Sequence, residues 1–150
     1  MKIILPILLN IFAIFPVHAI ESKDLLGEWK YSGFIYEKII YPPPNPDLYL
    51  SFTFKAESSV RLFWKRQDED FFCERVALFS VSDTSILSQN IIWVNPDNHS
   101  SCSSDPDMQL GRKTDNYVEI VNKELHLFLE LDGKPFIYIL TKVPAAGTSD

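Results

Sequence analysis

Reactive side chains are few in this chain. Of its three histidines, His18 falls in an apolar N-terminal stretch, His99 in a polar segment and His126 in an alternating one. Neither His99 nor His126 has a cysteine or carboxylate at metal-ligand spacing. Asp97, Asn98, Asp105 and Asp107 gather side-chain oxygens, the donors calcium takes, but their spacing departs from the EF-hand pattern and a solvated, turn-rich loop accounts for them. No Gly-x-Ser-x-Gly, His-Glu-x-x-His or phosphate-binding glycine loop occurs. The expectation is therefore a protein with no catalytic residue, no metal site and no cofactor, and not an enzyme.

Cys73 and Cys102 are the two cysteines. Their wide spacing is unlike the Cys-x-x-Cys of a redox pair, and an exported chain meets an oxidising compartment, so a disulfide is expected. It closes a loop of about 30 residues, for which chain entropy gives ~3–4 kcal/mol.

Aromatic surface is what the chain has in quantity: 11 Phe, 6 Tyr and 3 Trp, of which only Phe12 and Phe15 lie in the apolar leader. Trp64, Trp93 and Tyr138 fall on alternating segments where they can face an interior. Phe52, Phe54, Leu127 and Leu129 supply a plain apolar wall on two further segments. Such a set either fills a small barrel with its own side chains or lines a pocket for a small apolar ligand.

These residues need strands to hold them. A first strand is expected over 24–37, with Trp29, Tyr31, Gly33 and Ile35 on one face and Glu28, Lys30, Ser32 and Phe34 on the other. Residues 38–47 hold four prolines, which cannot donate to a ladder, and read as an extended loop. Clean alternation follows at Leu48, Leu50, Phe52 and Phe54, then at Val60, Leu62 and Trp64, with the charged tip 66–70 as a turn. On the strand over 71–81, Phe72, Val76 and Leu78 are expected inward because that leaves Arg75 in water. On the next, 86–94, Leu87, Ile91 and Trp93 are expected inward, with Gln89 the polar exception. Residues 95–116 form a long irregular loop held by Cys102. Short strands follow at 117–121, 124–131 and 136–143, with His126 on an outer face and turns at 122–123 and 132–133. Eight strands joined mostly by tight turns indicate an all-β protein, an antiparallel up-and-down β-barrel that leaves no free edge.

Residues 1–19 read as a signal peptide: Lys2, an apolar run from Ile3 to Phe15, and small residues at Val17 and Ala19 before the cut. The residue just after the cut is Ile20 and not a cysteine, which disfavours a lipoprotein, and the run is short for a bilayer. The barrel domain is then 20–143, with a small polar, disordered tail over 144–150 and no membrane span in the mature chain. The whole chain carries a formal charge of −6, and removal of Lys2 makes it more acidic. That argues against a nucleic-acid partner and against docking on anionic lipid. The expected location is the periplasm or the extracellular space.

Gly27 and Trp29, with Leu25, Leu26 and Tyr31 around them, form a Gly-x-Trp opening on the first strand. It resembles the opening of the lipocalins and their bacterial lipocalin-like relatives in the calycin superfamily. The resemblance implies a barrel closed at one end by Gly27, Trp29 and a basic residue of the last strand, for which Lys142 stands where lipocalins usually carry Arg. It also implies non-covalent carriage of a small apolar molecule, with Trp64, Trp93, Tyr138, Phe52, Phe54, Leu127 and Leu129 as the ligand-binding set. The alternative is a protein-binding module or enzyme inhibitor acting through the disulfide-pinned loop 95–116. The pairing of Cys73 with Cys102 is checked by intact mass with and without reductant, where a gain of two hydrogen atoms on reduction is expected.

Overall fold

The structure, a computed structural model, describes residues 19–145. Residues 1–18 of the expected leader and 146–150 of the expected tail lie outside the described residues. The strands are β1 (Gly27–Tyr36), β2 (Ile39–Tyr41), β3 (Leu48–Phe54), β4 (Ser59–Arg66), β5 (Phe72–Val81), β6 (Ile86–Val94), β7 (Lys113–Val121), β8 (Glu124–Leu131) and β9 (Lys134–Lys142). Every neighbouring pair is antiparallel, and β1 pairs with β9 from Trp29↔Lys142 to Tyr36↔Phe136. That pairing closes an eight-stranded up-and-down barrel, to which β2 is added as an extra strand. Among the described residues no helix is long and apolar enough to cross a membrane.

A one-turn helix, α1 (Ser22–Leu25), precedes β1 at the closed end. Its Leu25 carbonyl accepts the Trp29 indole N–H at 2.6 Å, so the ring meets its polar need where it is only 2% exposed. The Lys142 ammonium lies 5.1 Å from the ring centroid, within cation–π range. Gly27 has φ 111°, a conformation open to glycine, and a Cβ there would come within 3.2 Å of the Lys142 side chain. Ile20 is buried beside this cap, and its N–H donates to Ser85 Oγ at 3.2 Å.

Three features depart from simple alternation. Residues 38–47 were expected as a loop, yet Ile39–Tyr41 form β2. Glu37 and Lys38 both take positive φ, which makes the tight primed turn of a hairpin, and the prolines begin only after Tyr41. A β-bulge at Ser32 shifts the β1–β9 register between Tyr31 and Gly33. Beyond it the faces exchange: Phe34, not Ile35, packs on the core, its ring 5.0 Å from Phe136. Gly33 allows the β2 return, because a Cβ there would lie 2.6 Å from the Tyr41 carbonyl oxygen.

The third departure is a second bulge, between β5 and β6. Val76 pairs with Trp93 and Ala77 with Ile91, so Ile92 is the extra residue. Leu87, Gln89 and Ile91 are buried as expected, but the bulge turns Trp93 out, to 42% exposure. On β5 the expected facing is reversed. Cys73, Arg75, Ala77 and Phe79 are buried and Leu78 is 47% exposed. The disulfide, with Cα atoms 5.7 Å apart, fixes Cys73 inward, and period two carries Arg75 in with it. The long loop is shorter than expected, since β7 begins at Lys113.

Trp29→Ala removes the ring, its hydrogen bond and the plug of the closed end together. The expected loss is ~3–5 kcal/mol, measured by denaturant unfolding.

Candidate ligand-binding site

The barrel mouth lies at the end of β4 and β6 and the start of β5 and β9. Residues 95–112 fold over it. The start of the loop is fastened to Glu74 of β5, whose backbone N–H donates to Asn98 Oδ1 at 2.7 Å and whose carbonyl accepts from Asn98 Nδ2 at 2.9 Å. Asn95 Nδ2 donates to the Glu74 carboxylate at 2.6 Å, and Arg61 pairs with it from β4. Burial alone would raise the Glu74 pKa; the Arg61 and Asn95 hydrogen bonds outweigh that and hold it below the ordinary value. Cys102, in a 3-10 turn over Ser100–Ser104, is bonded to Cys73. A second 3-10 turn, Pro106–Met108, puts Met108 into the core. The loop rejoins β6 where Gly111 N–H donates to the Ile91 carbonyl at 2.8 Å and Ile91 N–H to the Arg112 carbonyl at 3.0 Å.

Beneath this cover is a cavity of about 360 Å³. Phe52, Leu127, Leu129 and Tyr138 form its apolar wall, and Arg75 and Gln89 line it from β5 and β6. Asp105, Asp107, Arg112 and Glu130 are also in its lining. Four of the seven expected ligand-binding residues thus meet in one place. Phe54 does not line the cavity: it is buried against Phe79, with ring centroids 5.1 Å apart. Trp64 packs on the core edge against Phe71, at 6.0 Å, and also stays out of the lining. Trp93 is on the outer surface because of the bulge at Ile92.

Sequence reasoning missed Arg75. It is 3% exposed, and its guanidinium donates from Nη1 to Gln89 Oε1 at 3.0 Å and from Nε to the Asp107 main-chain oxygen at 3.2 Å. Burial pushes its pKa down to about 10, against the pull of the Asp107 and Asp105 charges, so it stays protonated at neutral pH. Gln89 was the available signal: a polar residue at an inward position needs a buried partner.

An aromatic group borders the cavity through Tyr138. Its ring lies 4.8 Å from Tyr31 and 5.4 Å from Phe136. Burial raises the Tyr138 pKa, with the Asp107 and Asp105 charges adding to it, and burial with Tyr138 nearby pushes Tyr31 up to about 12.

Two other places are less suited to a ligand. A larger groove of about 760 Å³ runs outside the closed end past Trp29 and Lys142, but its rim is Lys23, Asp24, Asn122, Lys123 and Glu124, a solvated surface. His126 is on the outer side of β8 and is nevertheless buried, with Nδ1 3.6 Å from Glu119 and Nε2 3.8 Å from Glu124. Among the described residues no group of three or more His, Cys, Asp or Glu is placed to hold a metal ion. No family model matches this chain, and no curated protein does.

The buried phenols give this site a spectroscopic signature. In the wild type one tyrosine is expected to ionise only near pH 12 rather than near 10. Tyr31→Phe removes that latest step from the alkaline absorbance titration.

Proposed function

We propose that the protein is an exported, lipocalin-like carrier that holds a small apolar or amphipathic molecule in the barrel mouth. The cavity under the pinned loop carries this reading: one side is hydrocarbon and aromatic, and polar and charged side chains from the loop and from β5 to β8 line the other. The Gly-x-Trp opening, with Trp29 buried and Lys142 over its ring, supports the lipocalin-like assignment. The leader-like residues 1–19 and the disulfide support export, to the periplasm or beyond the cell. No part of the reading needs a cofactor or catalysis.

The alternative is a protein-binding module that uses the loop over 95–116. It is favoured by Leu110, which is 70% exposed in a segment tied to β6 on either side of Ile91. The inner side of the same loop already covers the cavity, which makes it a lid in the carrier reading.

A native mass spectrum of the protein isolated from its own host tests both. The carrier reading expects a mature chain beginning at Ile20 and a small non-covalent adduct. Leu129→Trp, which fills the cavity, is expected to lose the adduct, whereas Trp93→Ala keeps it. A stoichiometric protein partner with no small adduct would replace the carrier by the binding module.

A further inference from the structure

Arg75 is a buried cation on which the Asp107 and Asp105 charges act from a distance, with no carboxylate in ion-pair contact among the described residues. Buried charges are ordinarily paired, because neutral acceptors recover only part of the hydration an ion loses. A guanidinium has five N–H donors, and the two contacts made by Arg75 go to an amide oxygen and a main-chain oxygen. Among the described residues the buried side-chain polar atoms that lack a partner are Ser51 Oγ and His126 Nε2, and no Arg75 nitrogen is one of them. Arg75 lines the cavity, and no hydrogen bond from its remaining donors to the described residues is seen. Tyr138 reaches the same cavity from β9, so a phenol O–H stands beside an apolar wall and a cation.

We propose that Arg75 anchors the carboxylate of a small organic acid whose apolar body lies against Phe52, Leu127, Leu129 and Tyr138. The proposal rests on the carrier reading and names its ligand class. A carboxylate matches the planar fork of a guanidinium and forms charge-assisted hydrogen bonds, the strong kind. The acids in the lining set the charge of the ligand. Arg112 approaches Asp107 at 3.8 Å and offsets it, which leaves Asp105 and Glu130 as negative charges. They oppose every anionic group; Arg75 offsets that for one carboxylate and no cation remains for a second, so the site takes monoacids in preference to diacids and phosphate esters. The cavity of about 360 Å³ has room for about a dozen heavy atoms at roughly 30 Å³ each, the share of one water in the liquid.

Decanoate, decanol and decanedioate are suitable probes, used with the disulfide-intact mature protein in calorimetric titrations. Wild type is expected to bind decanoate about tenfold to a hundredfold more tightly than decanol, the range a hydrogen bond to a charged group provides. Decanedioate is expected to bind more weakly than decanoate. Arg75→Met is expected to lose the preference for the acid while still binding decanol. The acid-over-alcohol preference is measured on wild type, so the test stands even if that variant fails to fold. Equal affinity for decanoate and decanol, or unchanged decanoate binding in Arg75→Met, overturns the proposal; if Leu129→Trp then abolishes both, the carrier reading survives without it. Binding of none of the probes, together with a native spectrum free of adduct, overturns the carrier reading and the proposal with it.

Discussion

The hydrogen-bonded seam between β1 and β9 is the constraint on which the rest of this molecule depends. An eight-stranded meander left open would present two free edges and an apolar face with no cover. Pairing Trp29 with Lys142 at one end and Tyr36 with Phe136 at the other removes both edges and turns the apolar face into an interior. The same register sets Lys142 against the Trp29 ring and Tyr138 beside Phe34. Closed-end plug and mouth aromatics are thus placed by one ladder.

Closure also makes every phase slip consequential. In a sheet with period-two facing, one extra residue exchanges the two faces from that point on. The bulge at Ser32 brings Phe34 to the mouth interior, and the bulge at Ile92 sends Trp93 out of it. Both act toward the mouth and leave the closed end regular. The mouth is accordingly where the interior is polar as well as apolar, and where a cavity remains.

The loop over the mouth is held by connections of different kinds. The disulfide limits how far it can travel, Asn95 and Asn98 fasten its start to Glu74, and backbone pairing at Ile91 fastens its end. The Asp107 carbonyl then lies on Arg75. An apolar residue in place of that arginine would avoid the cost of burying an ion.

Sequence alone determined the barrel class, the strand count apart from β2, the Cys73–Cys102 pair and an apolar wall of Phe52, Leu127 and Leu129. Those features follow from local signals: alternation, tight turns at 122–123 and 132–133, and a two-cysteine inventory. The hairpin at Glu37-Lys38 escaped notice because neither residue is a usual choice for positive φ, and the nearby prolines argued against a strand. Tertiary structure alone decided the facing of β5, where hydrophobic and polar residues interleave evenly and either phase leaves an apolar set inside. The tie broke on a covalent bond: Cys73 must point inward to reach Cys102, so Arg75 follows it and finds Gln89 across the strand pair. The position of Trp93 was likewise beyond local reading, because a bulge is a property of two strands in register and neither strand carries it alone.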